Sequence, residues 1–354
     1  MKAMVLAAGK GTRLFPLTGQ VPKPLSPVAD TPIIEHIFGL LARHGIEEVY
    51  VNVHYLADSL LEAYGEQTHI NGMRVNLVRE NELTGTAGGV KHLAKKISSN
   101  GTFEETFIVL SGDALTDIDL KNLVAFHKEK DALATIALNR VYDTSEFGVV
   151  ALDEEGNILS FQEKPDPREA ISTLANTGIY VFEPKILEYI PEETFFDFAQ
   201  DVFPRLLEEG EKFVGYEGEF YWSDIGTLET YRQAQYDVLS GRVKVKVSGE
   251  KRGESVWVGE NAQVHPTARL EGCVVVGEDA VIGRGVDLSG YVVVGTDCWV
   301  RPRTTITRSI LLPGATVGEG AYLEDCIVGH GYDVRPGETI RSGALIRQRT
   351  PRRS

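Results

Sequence analysis

Val258-Gly259-Glu260-Asn261-Ala262-Gln263-Val264-His265-Pro266-Thr267-Ala268-Arg269-Leu270 places a branched apolar residue every six positions and a small one four places after each. The period runs on through Val276, Ile282, Leu288, Val294, Val300 and Ile306. Its partner position runs through Val274, Ala280, Val286, Val292, Cys298, Thr304 and Ile310. It slips by one residue near Leu311 and again near Val328, then resumes at Val334, Ile340 and Ile346. A half-buried strand of an ordinary sandwich alternates with a period of two; a fixed six is the period of stacked coils. Residues 254–347 are therefore expected to form a parallel β-helix whose coils turn their apolar rungs inward.

Upstream the pattern changes. Over residues 1–240, β-branched runs at Lys2–Leu6, Glu48–Val53, Val75–Val78 and Phe107–Leu110 alternate with helical spacings. Thr31 as N-cap and Pro32 in the first turn are expected to open one helix, with Ile33, Ile37, Leu40 and Leu41 on a shared face and Gly45 at its end. Alternation of this kind predicts an α/β domain, a Rossmann-like sheet that becomes antiparallel between Ala132 and Phe182. The polar stretch 241–253 reads as the linker, and 348–354 as a basic, solvated tail.

Composition narrows the function classes. With 42% hydrophobic and 25% charged residues the chain reads as an ordinary globular protein, and a formal charge of −15 argues against a nucleic-acid partner. No apolar run approaches the ~18 residues of a membrane span. The run Ala3–Ala8 is too short for a signal peptide, and Gly9-Lys10-Gly11 interrupts it. Cys273, Cys298 and Cys326 are far apart and odd in number, which suggests neither a disulfide framework nor a zinc site; a cytoplasmic location is expected.

An anionic substrate then needs a local basic pocket, and the N-terminus offers one. The first strand runs into Leu6-Ala7-Ala8-Gly9-Lys10-Gly11-Thr12-Arg13-Leu14. Small residues leave backbone N–H groups open to phosphate oxygens. The spacing is not that of a Walker loop, and Leu14 stands where a dinucleotide fingerprint has its third glycine. Arg13 adds a bidentate cation, and Pro22-Lys23-Pro24-Leu25 sets a second cation on a stiff, non-helical segment. Asp113 follows the run Phe107–Leu110, at the strand edge where open α/β sheets bind ligands.

These segments resemble the sugar-1-phosphate nucleotidyltransferase family, as do Gly85-Thr86-Ala87-Gly88, Gly112-Asp113, Phe161-Gln162-Glu163-Lys164-Pro165, Asn176-Thr177-Gly178 and Tyr221-Trp222-Ser223-Asp224-Ile225-Gly226-Thr227. The likeness covers nearly the whole chain and is strongest to mannose-1-phosphate guanylyltransferase-like members, which end in a left-handed β-helix. It implies transfer of a nucleoside monophosphate, here from GTP, to a sugar 1-phosphate, here mannose 1-phosphate, with release of pyrophosphate. It also implies Mg²⁺ on Asp113 and Asp224, pyrophosphate on Arg13 and the α-phosphate on Lys23. The sugar phosphate falls to Lys164, and the sugar to Glu163, Asn176 and Gly148. Leu6, Ala8, Gly9, Gly11, Thr12, Glu80, Gly85 and Thr86 would line the nucleotide.

Glu80 lies five residues before Gly85, where the family reads the base. A carboxylate has two acceptors, which match the two adjacent donors of guanine and mismatch uracil, thymine and adenine. Other readings stand beside this one. Glucose-1-phosphate thymidylyl or uridylyl transfer is the first, and a non-catalytic regulatory homologue that binds sugar nucleotide is the second. A third makes the β-helix an acyltransferase with His265 or His330 as base. The β-helix supplies apolar rungs without clustered charges, so it is expected to assemble a homo-oligomer.

Overall fold

A computed structural model describes residues 1–98, 105–192 and 194–346. Arg347 and the expected tail at 348–354 lie outside the described residues. Packing divides the chain into two compact units, one of Met1–Lys10 with Ile37–Asp224, the other of Gly11–His36 with the residues from Ile225 onward.

The first unit is built on a ten-stranded sheet of β1 (Lys2–Leu6), β2 (Glu48–Val53), β3 (Gln67–Ile70), β4 (Met73–Arg79), β5 (Phe107–Ser111), β6 (Ala134–Arg140), β7 (Gly148–Leu152), β8 (Ile158–Glu163), β9 (Leu174–Phe182) and β10 (Phe213–Glu217). The order is β8-β7-β9-β5-β1-β2-β4-β3, with β6 beside β9 and β10 beside β6. Strands β5, β1, β2 and β4 are mutually parallel, and β9 lies antiparallel to β5. The antiparallel extension after Ala132 is thus present. Ala3, Met4 and Val5 are fully buried, as are Phe107, Ile108 and Val109, the continuous apolar reading of strands covered on both faces. Phe182, Phe198, Phe203 and Phe213 form an aromatic chain through the core, with ring centroids 5.0–5.7 Å apart.

One helix boundary differs from expectation. The helix runs Ile33–Arg43, and Thr31–Pro32 are not its first turn but a two-residue strand paired with Pro27–Val28. Its other end is as read: Gly45 has φ 78°, and the N–H groups of Gly45 and Ile46 return to the carbonyls of Ala42 and Leu41.

The second unit holds a periodic parallel β region of an eight-stranded and a five-stranded sheet. Leu270 pairs with Leu288 and Val276 with Val294, eighteen residues apart, so three hexads close one coil. Further on, Ile306 pairs with Leu323 and Leu323 with Ile340, seventeen apart. The slips near Leu311 and Val328 are one shortened corner recurring in successive coils. Val276, Ile282, Leu288, Val294, Val300 and Ile306 fill the interior. The end of the linker stretch is structured, since Glu250–Arg252 pairs antiparallel with Val256–Val258 on the first coil. Among the described residues no helix is long and apolar enough to cross a membrane.

Leu288 is fully buried on a rung with neighbours on both sides. Leu288→Ala is expected to cost about 2–5 kcal/mol, read as a lowered urea midpoint. A cost under ~0.5 kcal/mol would mean that the rungs do not pack as a core.

Candidate active site

The strand order reverses at β1 and β5, which pair in parallel with Leu6 opposite Ser111. Ligands of open α/β sheets bind beyond the carboxyl ends of such strands. Two loops leave there together. The Gly112 N–H donates to the Leu6 carbonyl at 2.8 Å, and a Cβ on Gly112 would stand 2.9 Å from both the Ala7 Cβ and the Leu6 oxygen. A side chain at 112 would push the loops apart. Ala7 and Ala8 are buried, while Gly9 opens onto empty space, so the loop's backbone remains approachable.

Asp113 comes one residue later, its Oδ1 accepting the Ser111 hydroxyl at 2.7 Å. Asp224 reaches the same end along an antiparallel ribbon in which Trp222 faces Thr116 and Ser223 faces Leu115. Asp224 directly follows Ser223 of that ribbon, and Asp113 lies two residues before Leu115. The Trp222 indole donates to the Thr177 carbonyl at 3.0 Å and meets the Phe147 ring edge-on, which fixes the ribbon.

Glu80 is not a solvated loop residue: it is 3% exposed. The Asn52 amide donates to Glu80 Oε1 at 2.7 Å, and Asn52 Oδ1 accepts the Ala7 N–H at 2.8 Å. Asn52 therefore ties the carboxylate to the loop after β1. Gly89 makes room, because a Cβ there would lie 2.6 Å from the Asn52 nitrogen. The Thr84 hydroxyl stands 3.4 Å from Oε2, and a cavity of about 840 Å³ opens beside Glu80, lined also by Gly88, Lys91 and Lys95. The sequence reading missed Asn52. Its signal was an Asn within the β-branched run Glu48–Val53, a residue type depleted from strands.

The helix Gly85–Ser98 begins at this wall. Gly85 has φ 80°, and a Cβ there would come within 2.4 Å of the Phe196 carbonyl oxygen. That carbonyl accepts the Ala87 and Gly88 N–H groups. The Thr86 hydroxyl donates to Asp197 and accepts the Phe198 N–H, so part of this helix terminus is committed internally. Asp197 is a second residue absent from the sequence reading.

The residues expected to take the sugar phosphate lie on or next to β7, β8 and β9, which pair with one another through β7. Gly148 lies opposite Glu163, and a Cβ on Gly148 would meet Phe161 at 2.4 Å and the Glu163 carboxylate at 2.8 Å. Gly148 is thus required by its neighbours. Burial raises the Glu163 carboxyl above its ordinary range, Lys164 opposes and Asp197 adds. Lys164 has φ 45° and its N–H donates to the Phe147 carbonyl, so the exposed ammonium projects from a strained, fixed backbone. Asn176 uses both ends of its amide locally, donating to the Tyr180 hydroxyl and accepting the Gly178 N–H. Ile225, next to Asp224, has φ 46°, a rare conformation for a β-branched residue.

Gly11, Thr12, Arg13 and Lys23 lie in the second unit. Pro22-Lys23-Pro24-Leu25 is not wholly non-helical: Lys23–Leu25 forms a 3₁₀ turn. Lys23 is 4% exposed, its stem against Gly11, which excludes a solvated surface lysine. Arg13 and Thr12 are exposed. Of the two histidines of the acyltransferase reading, His265 bonds to Thr267, and burial pushes His330 down to about 4.

Asn52→Leu strands the Ala7 N–H and one oxygen of a buried carboxylate. It is expected to lower stability by about 2–5 kcal/mol, measured by chemical denaturation; a change within ~0.5 kcal/mol would contradict the network.

The nucleotidyl transferase family profile matches residues 2–241. A UTP–glucose-1-phosphate uridylyltransferase from Synechocystis is 39% identical over 94% of this chain and 88% of its own. The mannose-1-phosphate guanylyltransferase catalytic subunit beta of Drosophila pseudoobscura is 37% identical over 96% of this chain and 94% of its own. The crystal structure of HddC from Yersinia pseudotuberculosis complexed with GMP-PN superposes with a TM-score of 0.56 at 25% identity, covering 67% of this chain and 99% of that one. The chain belongs to the nucleotidyl transferase family, as an enzyme transferring a nucleotide between a nucleoside triphosphate and a sugar 1-phosphate.

Proposed function

We propose that the chain transfers the uridylyl group of UTP to glucose 1-phosphate. A phosphate oxygen of the sugar attacks the α-phosphorus, the α–β bond breaks, and pyrophosphate leaves with its electron pair. The observation that carries the base assignment is the state of Glu80. One of its oxygens accepts the Asn52 amide at 2.7 Å and the other only the distant Thr84 hydroxyl at 3.4 Å, so Oε2 is the oxygen more open to a base. Guanine asks for two acceptors side by side, and uracil offers a single ring N–H. The loosely held Thr84 hydroxyl, 3.4 Å from Oε2, is a donor for the flanking uracil carbonyl. The Synechocystis relative's name supports the same reading. Guanylyl transfer to mannose 1-phosphate is the second reading. It draws support from the carboxylate at position 80, from the names of the guanylyltransferase relatives and from the GMP-PN complex of HddC.

The remaining roles follow charge. Bringing two phosphates together requires cations and alignment more than an acid–base pair. We assign pyrophosphate to Arg13, the α-phosphate to Lys23, and the sugar phosphate to Lys164. Glu163, Asn176 and Gly148 take the sugar; Leu6, Ala8, Gly9, Gly11, Thr12, Gly85 and Thr86 take the nucleotide. Asp113 and Asp224 are the residues that would hold Mg²⁺. Their donor chemistry fits: both are carboxylates, hard oxygen donors, Asp113 shortly after β5 and Asp224 directly after Ser223. Mg²⁺ accepts so sparse a protein set because phosphate oxygens and water complete its shell. When bound, the ion neutralises charge on the triphosphate. We further read the parallel β region as a left-handed β-helix that assembles copies of the chain.

Three measurements check this. In a panel of four nucleoside triphosphates and several sugar 1-phosphates, UTP with glucose 1-phosphate should exceed GTP with mannose 1-phosphate in kcat/KM by roughly tenfold or more; the reverse order selects the second reading. Asp113→Asn and Asp224→Asn should each lower turnover by roughly a hundredfold or more at unchanged circular dichroism, and full activity in either would remove the metal assignment. Light scattering should give a multiple of the chain mass; a monomer would count against assembly.

A further inference from the structure

The segment Gly11–His36 packs with the second unit, and it carries Arg13 and Lys23. What fastens it is a hairpin of Pro27–Val28 against Thr31–Pro32 with Ala29 and Asp30 at its tip. Both tip residues have positive φ, 49° and 61°, the pattern of a type I′ turn, for which Asn-Gly is favoured. Ala29 has a Cβ and no side-chain polar group to offset it, so its surroundings impose the conformation.

Those surroundings are polar and specific. The Ala29 N–H donates to Gln235 Oε1 at 2.7 Å, while Gln235 Nε2 and the Tyr231 hydroxyl donate to the Pro27 carbonyl. His36 Nε2 stands 3.0 Å from the Val28 carbonyl. The Asp30 carboxylate accepts the backbone N–H of Thr296 at 3.0 Å and its hydroxyl at 2.9 Å. Thr296 follows the strand Asp287–Val294 of the parallel β region. Two glycines floor the seat: a Cβ on Gly277 would lie 2.3 Å from one Asp30 oxygen, and one on Gly295 3.1 Å from the other. The seat has an electrostatic cost, because burial pushes the Asp30 carboxyl up to about 6, with Glu278 and Asp297 adding and Thr296 opposing.

We infer that Asp30 is a positioning residue, through which the parallel β region sets the phosphate-binding cations of the nucleotide site. The connection runs back along the chain. The Ile33 N–H bonds to the Ser26 carbonyl, and the Ser26 N–H to the Lys23 carbonyl. Lys23 packs on Gly11, where a Cβ would stand 3.0 Å from its own, and the Thr18 hydroxyl holds the Gly11 carbonyl at 2.9 Å. Gly11 is the end of the loop that begins at Leu6. Freeing the hairpin tip therefore loosens Lys23 and Arg13 first.

The inference rests on the nucleotide roles given to Arg13 and Lys23, and two measurements on the full chain separate it from that reading. In pyrophosphate-release kinetics, Asp30→Ala should raise KM for the nucleoside triphosphate roughly tenfold. KM for the sugar 1-phosphate should stay within roughly twofold, because Glu163, Lys164 and Asn176 belong to the other unit. Asp30→Asn, whose amide can both accept from the Thr296 N–H and donate to its hydroxyl, should recover most of the loss. An unchanged nucleotide KM in Asp30→Ala, equal impairment in Asp30→Asn, or a fall in kcat alone that tracks a lowered melting temperature would overturn the inference. Amide hydrogen exchange of substrate-free protein gives the activity-independent arm. Exchange between Leu14 and Ser26 should quicken in Asp30→Ala and not in Asp30→Asn, and exchange unchanged in both would overturn it even if the protein proved inactive.

Discussion

Two parallel strands that stop at the same level leave backbone groups with no further strand to pair, and the loops that follow must satisfy them. At the ends of β1 and β5 the Asn52 side chain takes the Ala7 N–H, and the Gly112 N–H bonds to the Leu6 carbonyl. The latter bond forms only because position 112 lacks a side chain. From that junction the loop through Ala7 and Ala8 departs on one side and Asp113 on the other, so both are held by the same contact. The ribbon pairing Trp222 with Thr116 then brings in Asp224 from more than a hundred residues away.

Around this junction the polar groups are linked rather than scattered. Glu80 would be a costly buried carboxylate if left alone; Asn52 satisfies it and at the same time holds the Ala7 N–H. Glu80 is thereby coupled through Asn52 to the loop after β1. Gly85 and Gly148 do similar work by absence, leaving room for the Phe196 carbonyl and for Phe161 with Glu163. The positive φ values of Lys164 and Ile225 fall next to Glu163 and Asp224, where the surroundings over-determine a strained backbone.

The parallel β region obeys a different rule. Its rungs stack through identical positions of successive coils, so a residue lost at one corner must be lost at the same corner of the next coil. The change from eighteen-residue to seventeen-residue pairings meets this condition, with Leu311 stacked on Val328 and Val328 on Leu345. The rung positions of successive coils are filled by similar branched apolar residues. The specific contacts lie at the turns, where Thr296 receives Asp30.

Periodicity is a local property, and what depends on it was legible in the chain alone. The sixfold repeat with its slips, the central strands Lys2–Leu6 and Glu48–Val53, and the glycine-rich turn after the first strand all follow from residue type and spacing. The hairpin at Pro27–Pro32 was not legible, because Ala29-Asp30 carries no turn signal and adopts its conformation only against Gln235 and Thr296. The same holds for Asn52, whose importance lies in two partners from distant segments, and for the burial of Lys23, whose stem packs on Gly11. Spacing along a chain can announce a strand or a coil; which buried donor meets which buried acceptor depends on segments two hundred residues apart, and only the tertiary structure decides it.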